Sequence, residues 1–489
     1  GVLMYINNVP PKPQAPTDTD QRRWEHSGLR RRLLTGLWEQ DLEDELLRHL
    51  PTDRREALGP SDLSSCAIEQ VTRQLAMLYH SEPNITGDGD ISALVGRDGF
   101  VTKAGYFQLM QKVQQMTLGI REMFVRVDVA PHHPGDIARV PGLSFRCVSP
   151  DFVICAASED APDIPLYYQE LRLRMHAETG EAVWVWDILD IRDPNNPLFG
   201  MFEATPAGGI GKDMSEMYMG HEAMRGDSYP YRSKEGVPFL PIVLYHAEKT
   251  GQLFNAFDAA QLAYGSLTAA VLFSFYVHCV RDNSWPQKYV AGLHLAGLSQ
   301  LEGDLTGRRS AISTDPSSIL MFQTDPDMQG QPLIGSFTYA DPEKLLESIS
   351  KYEYRVATAA GISSEVLRQS GDPRSGYALS ISRDGQREAQ RRYAPVFRRA
   401  DEEMLSKCAM LCNRFLRANL PENGYRVVYT PLGLSPEEMR AQREDIIQKL
   451  TAGLISPVDA MQIMNPDLDP IEAKQELERI RAERAQYSI

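Results

Sequence analysis

The chain has 489 residues, of which 42% are hydrophobic and 24% charged. That length exceeds what one hydrophobic core supports, so two or more domains are expected, and the apolar share excludes a disordered tail. A formal charge of −15 argues against a basic nucleic-acid coat protein, although an acidic wall suits DNA that must slide without sticking, because phosphate affinity grows with each cation paired.

Residues 1–20 are proline-rich and read as an arm, with no basic start followed by the apolar run of a signal peptide. Two helical stripes follow between Trp24 and Leu50: Leu29, Leu33, Leu34 and Leu37, then Leu42, Leu46, Leu47 and Leu50, closed by Pro51. Ala67, Val71, Leu75 and Leu78 mark a third helix over 65–79, and a fourth over 103–118 leads into a strand-like 123–129. From there to about residue 250 the period falls to two. Runs at 143–146, 152–156, 166–174, 182–191 and 239–245, rich in Val, Ile, Tyr, Trp and Phe, predict an antiparallel sheet packed with the earlier helices, and 192–236 reads as loop-rich.

Between Ala259 and Val280 there is no charged residue, a run long enough to span a bilayer, yet Gln261, Ser266, Thr268, Ser274 and His278 interrupt it. The main expectation is a helix buried between neighbouring elements or subunits, and the competing one is a membrane-associated scaffold anchored by 259–280. A Gly/Asp/Ser-rich region reaches residue 340. Asp341 then caps a helix with Pro342 at its first position and Leu345, Ile349, Tyr352, Val356 and Ala359 on one face, stopped by Gly361. A loop punctuated by Gly, Ser and Pro precedes a long helix from about Tyr377 to Arg417, which Pro395 should bend. Ser435-Pro436, Ser456-Pro457 and Asp469-Pro470, each followed by an acid, predict three short helices over 434–489.

Arginine is concentrated in one place. Between Arg368 and Arg399 there are eight (368, 374, 383, 387, 391, 392, 398, 399), with no lysine and three acids. Arg383, Arg387 and Arg391 recur every four residues and share a helix face, suited to phosphate oxygens or to a neighbour's carboxylates. The plainer alternative is a solvated face paired with Asp384 and Glu388. Without interleaved aromatics, any nucleic-acid contact here would be to the backbone and blind to sequence.

The amphipathic helix, the segment Gly361-Ile362-Ser363-Ser364-Glu365-Val366-Leu367, and Ser375-Gly376-Tyr377-Ala378-Leu379 opening a second long helix together resemble the portal proteins of tailed bacteriophages. The surrounding succession resembles the same family over about 235–489, and the N-terminal half only by element order. The resemblance implies an α+β, mainly α, ring subunit: N-terminal arm 1–20, α/β wing 21–254, first stem helix 255–283, small α/β clip 284–340, second stem helix 341–361, channel loop 362–376, long helix with return strand 377–433, and helical crown 434–489. The uncharged first stem helix departs from the more polar helix usual in that family. The function implied is structural and non-enzymatic, a dodecameric ring at one capsid vertex through which double-stranded DNA is packaged and ejected, located in the virion and, during assembly, in the host cytoplasm. The partners implied are further copies of the chain, DNA without sequence preference, the terminase large subunit, head–tail adaptor proteins, and the major capsid and scaffold proteins; no cofactor or metal is implied. The site residues implied are Gln369, Ser370, Arg374 and Ser375 in the channel loop, with Arg383, Arg387 and Arg391 on the helix behind it.

Enzyme motifs are weaker. Ser348 and Lys351 have the Ser-x-x-Lys spacing of acyl-serine enzymes without the companion Lys-Thr-Gly. His132 and His133 lie between prolines and read as a loop tip, Asp88-Gly89-Asp90 as a turn, and Arg225-Gly226-Asp227 as a chance match in a turn. Cys408 and Cys412, one turn apart, read as small buried hydrophobes, and with Cys66, Cys147, Cys155 and Cys279 as free thiols of a reducing compartment. No Walker, Gly-x-Gly-x-x-Gly or Gly-x-Ser-x-Gly pattern is present, so neither a phosphate cradle nor a nucleophile elbow is expected.

Overall fold

A computed structural model describes residues 14–52, 55–56, 62–64, 66–130, 141–175, 180–205, 210–214, 229–255, 260–284, 286, 288–291, 319–322, 333–336, 341–359, 376–433, 436–464 and 473–480. They form an α+β fold with several small sheets. The chain divides into two compact units, Gly1–Leu367 with Ala389–Thr430, and Arg368–Glu388 with Pro431–Ile489.

In the first unit, α1 (Asp18–Thr35) is opened by a reciprocal capping box: the Thr17 hydroxyl accepts the Asp20 amide at 3.2 Å, and the Asp20 carboxylate accepts the Thr17 amide at 3.0 Å. The helix therefore begins inside the expected arm and ahead of Trp24, because a cap needs no apolar stripe. Gly36, in the left-handed region, ends it, and α2 (Glu39–His49) and α3 (Ala67–Leu75) follow. After β1 (Asn84–Thr86) come two single turns, α4 (Ser92–Val95) and α5 (Phe100–Lys103), then α6 (Tyr106–Ile120). Gly105, with φ +69°, breaks the predicted 103–118 helix between α5 and α6.

Eight strands follow: β2 (Glu122–Ala130), β3 (Gly142–Val148), β4 (Val153–Ala157), β5 (Pro165–Met175), β6 (Ala182–Asp190), β7 (Leu198–Ala204), β8 (Ile210–Asp213) and β9 (Ile242–His246). β2 lies between β3 and β9 in an antiparallel sheet, and β4-β5-β6-β7-β8 make a five-stranded antiparallel meander. The loop-rich stretch 192–236 also contains two strands that the sequence did not mark, β7 and β8. Leu198, Phe199, Met201 and Phe202 are apolar on both faces, so β7 shows no alternation, and the turn residues before it masked the strand.

The uncharged run forms α7 (Ala260–Ser284). Then come β10 (Lys288–Ala291), β11 (Ile319–Phe322) and β12 (Leu333–Ser336), with β10 central, parallel to β11 and antiparallel to β12, and next α8 (Pro342–Ala359). α7 packs on α8 through Gly265, where a Cβ would stand 2.6 Å from Val356 Cγ2. Hydrogen on that α-carbon is what lets the two helices approach so closely. The long helix is α9 (Gly376–Phe415), and β13 (Arg426–Val428) returns to pair with β1.

The second unit holds α10 (Pro436–Thr451) and α11 (Pro457–Met464), whose starts match two of the proline-marked ones, and helical residues 473–480; the third expected start, Asp469-Pro470, lies outside the described residues. At α11 the Ser456 hydroxyl accepts the Asp459 amide at 3.1 Å and the Asp459 carboxylate accepts the Ser456 amide at 2.9 Å. The main core of the first unit joins Leu33 and Trp38, Tyr106, Phe124, Tyr245 and Phe397, all under 3% exposed. A smaller cluster of Ile154, Tyr167, Trp186, Ile188 and Phe202 lies on one face of the meander, under Trp24.

Candidate nucleic-acid interface

Within the first unit, α9 presents two faces. Tyr393, Phe397, Ala400, Met404, Cys408 and Leu411 are buried at three- and four-residue steps, while Arg391, Arg392, Pro395, Arg398 and Arg399 are exposed. Pro395 cannot donate to the Arg391 carbonyl, but on the exposed face water can, and the helix runs on to Phe415.

Of the residues implied by the sequence, Gln369, Ser370, Arg374 and Ser375 lie outside the described residues, as does the side chain of Arg383. Arg391 is exposed. Arg387 is half-buried and donates Nη2 to the Gly433 carbonyl at 3.2 Å, within the second unit. Arg392 is bound by Glu248, which also meets Arg121 at 3.5 Å, so one cation of the arginine-rich stretch is already matched by a carboxylate. Arg391, Arg398 and Arg399 therefore form the accessible basic face of α9 among the described residues.

What fixes this helix is a buried carboxylate that sequence reasoning did not find. Asp401, 1% exposed, accepts four tyrosine hydroxyls: Tyr79 at 2.8 Å and Tyr429 at 2.7 Å on Oδ2, Tyr106 at 2.8 Å and Tyr245 at 2.9 Å on Oδ1. Tyr106 and Tyr245 also touch at 2.7 Å. The tyrosines come from α6, from β9, and from the segments after α3 and β13, so Asp401 ties α9 to four parts of the first unit. Burial raises the Asp401 carboxyl above its ordinary 3.8, and the four hydrogen bonds pull it back without reversing the shift. Burial, and then the Asp401 charge, raises the hydroxyls of Tyr79, Tyr106, Tyr245 and Tyr429, which keeps them protonated as donors. The one sequence signal was an acid inside an apolar stripe, Phe397, Asp401, Leu405, at helical spacing.

A second buried network stiffens the sheets. Arg126 of β2, 2% exposed, meets Asp128 at 2.9 Å, Asp187 at 3.1 Å and Glu170 at 3.4 Å, while Arg172 and Arg174 reach Asp187 at 3.0 and 3.7 Å. Burial alone would raise Asp187, but Arg126, Arg174, Arg172 and Arg146 outweigh it and hold the carboxyl at about 2. At the start of β2, Glu122 is 0% exposed and accepts the Asn255 amide at 3.0 Å; burial lifts it to about 7 against that bond and the pull of Arg30, Arg23 and Arg121.

α7 is long and apolar enough to cross a membrane, but its first half is buried: Leu262, Ala263, Leu267, Ala270 and Val271 pack inside the unit, and the Ser266 hydroxyl accepts the Ile68 amide at 2.9 Å. Its second half exposes Val277 and Val280, and α8 exposes Leu346 and Tyr354. Ser348 donates to the Lys344 carbonyl at 2.8 Å and Lys351 pairs with Glu347 at 2.6 Å, so neither engages the other. All six cysteines are free; burial raises Cys66 to about 11 and Cys147 and Cys412 to about 12, which leaves them as unreactive thiols. No group of three or more His, Cys, Asp or Glu side chains suited to a metal occurs among the described residues. His132, His133 and Arg225 to Asp227 lie outside them, and Asp90 accepts the Ser92 amide at 2.9 Å, as a turn residue does.

No family model matches the chain, and no curated protein matches it. Among solved structures it is similar to one titled "Neck of native GTA particle computed with C12 symmetry", at 12% identity over 82% of this chain and 88% of that one, with a TM-score of 0.37. A likeness that low carries no argument about this chain.

Proposed function

We propose that the chain is the subunit of a portal-like ring that lets double-stranded DNA into and out of a phage capsid. The observation that carries this reading is the order and pairing of elements from 260 to 415: α7 and α8 pack together, they bracket a small three-stranded sheet in the chain, and the 40-residue α9 is the next element after α8 among the described residues. This order agrees with the first stem helix, clip, second stem helix and long helix that the sequence resemblance implies, and the helices within 436–480 follow where it implies a crown.

The role is geometric. Ring symmetry turns one loop per subunit into a collar. The apolar side chains left in water on α7 and α8, Val277, Val280, Leu346 and Tyr354, are then covered by neighbouring copies. With a net charge of −15 and few accessible arginines on α9, DNA is guided by weak, sequence-blind phosphate contacts and is free to slide. The terminase large subunit and head–tail adaptors dock on the part of the ring built from β10 to β12, and the capsid and scaffold proteins surround it. Deleting residues 369–375 tests the reading: rings form as before, while particles carrying the deletion package or retain less DNA. Full packaging by such particles refutes it.

A further inference from the structure

A cleft of about 430 Å³ opens between α1, α6 and the two sheets of the first unit, within the range of roughly 300–1,000 Å³ usual for ligand pockets. Its walls are of two kinds. Met116, Val148, Phe152, Leu171, Leu173 and Trp184 are apolar, while Arg31, Lys112, Arg146 and Arg172 bring cations and Glu170 a carboxylate. Leu173 of β5 stands opposite Trp184 of β6, and the two remain 53% and 45% exposed. Large apolar side chains left in water beside cations, in one concave place, are the make-up of a contact surface.

The charges around it do not balance. Arg126, Arg146, Arg172 and Arg174 share three carboxylates, those of Asp128, Glu170 and Asp187. Lys112 adds a fifth cation: its ammonium donates to the Leu34 carbonyl at 3.3 Å and to Gln115 Oε1 at 3.0 Å, and it forms no ion pair among the described residues. Glu69, whose charge reaches Lys112, is bound by Arg73, and Arg31 is matched by Asp151. Five cations against three carboxylates leave two positive charges over, on a chain whose net charge is −15. Ser149, 5% exposed, also lines the cleft, and its hydroxyl has no hydrogen-bond partner in the chain.

We propose that this cleft binds an acidic segment of a partner protein, which seats a large apolar side chain against Leu173 and Trp184 and a carboxylate at Lys112. Charge complementarity selects that occupant. A phosphate chain needs a row of free cations, whereas Arg146 and Arg172 already hold Glu170 and Asp187, and of the cations lining the cleft Lys112 alone is unmatched. A purely apolar segment would cover the Lys112 ammonium without pairing it, and that costs free energy. A peptide with a few acids beside a bulky apolar residue answers both walls. The tryptophan and its neighbours supply the hold, and the excess positive charge selects and steers the partner.

Fluorescence polarisation tests this on the full chain with a short labelled peptide of Asp and Glu around central leucines, beside the same peptide with Lys in place of the acids. Lys112→Glu and Trp184→Ala are the variants; both positions are exposed, and far-ultraviolet circular dichroism checks that each variant keeps its fold. The unchanged chain binds the acidic peptide alone, less tightly as salt rises, and each variant binds it at least about tenfold more weakly. No binding of the acidic peptide, or equal binding by all three chains, overturns the proposal. Phosphatidylglycerol vesicles or duplex DNA binding through Lys112 in place of the peptide overturns it in favour of a phosphate surface. Self-association that Lys112→Glu abolishes, in place of peptide binding, overturns it in favour of a second copy.

Discussion

Replacing Asp401 by alanine removes the acceptor shared by four buried hydroxyls. Tyr106 and Tyr245 still bond each other, so one of that pair stays satisfied while the other loses its acceptor together with Tyr79 and Tyr429. At about 1–3 kcal/mol for each buried polar group left unpaired, the loss is roughly 3–9 kcal/mol, comparable with the whole stability of an ordinary domain. Asp401→Asn keeps one acceptor oxygen, and the hydroxyls can turn to accept from its amide, so it should cost much less. Tyr429→Phe removes a single bond and should cost about 1–3 kcal/mol. Urea unfolding followed by circular dichroism ranks the three. The pH dependence adds a second readout. The folded state raises Asp401 above 3.8, so it holds the proton more tightly than the unfolded chain does; the contribution of this group to stability falls as pH rises from 3.8 through the raised folded value. Asp401→Asn removes that slope. A loss below about 1 kcal/mol for Asp401→Ala, or an unchanged slope for Asp401→Asn, would refute the assignment of the hub.

Asp187, held at about 2 against an ordinary 3.8, contributes stability above pH 3.8 that disappears as pH falls through 2, about 2 kcal/mol in all, and acid unfolding of Asp187→Asn should lack that component. Glu122, raised to about 7 from 4.5, acts in the opposite sense: its contribution declines as pH rises from 4.5 through 7, so Glu122→Gln should be the more stable protein at pH 8, by up to about 3 kcal/mol in thermal or urea melts. Gly265→Ala places a methyl 2.6 Å from Val356 Cγ2 and should cost about 1–3 kcal/mol; Val356→Ala in the same chain should recover most of it, and additive losses would show that the two helices do not meet there.

Helices with regular apolar stripes were legible from sequence: the leucine patterns place α1 and α2, and the proline-marked starts place α10 and α11. Boundaries that depend on hydrogen bonds were not, as at Asp18, where Thr17 and Asp20 cap a helix before its stripe begins. β7 was missed because both of its faces are apolar, so period-two alternation had nothing to report. The Asp401 hub was invisible for a different reason. Its ligands at 79, 106, 245 and 429 come together only through the fold, and each alone is an unremarked tyrosine in an apolar run. The arginine-rich stretch was legible as charge, but not the pairing of Arg392 with Glu248, more than a hundred positions away, which matches one cation of the exposed face of α9 with a carboxylate.

Closure of this chain into a ring is tested most directly by its assembled mass and shape, by light scattering and negative-stain microscopy of the purified protein. The expected result is a particle of about twelve times 54.9 kDa with a central hole and cyclic symmetry. A monomer or dimer that stays closed-surfaced and compact at all concentrations, with no ring even beside capsid and scaffold proteins, would contradict it.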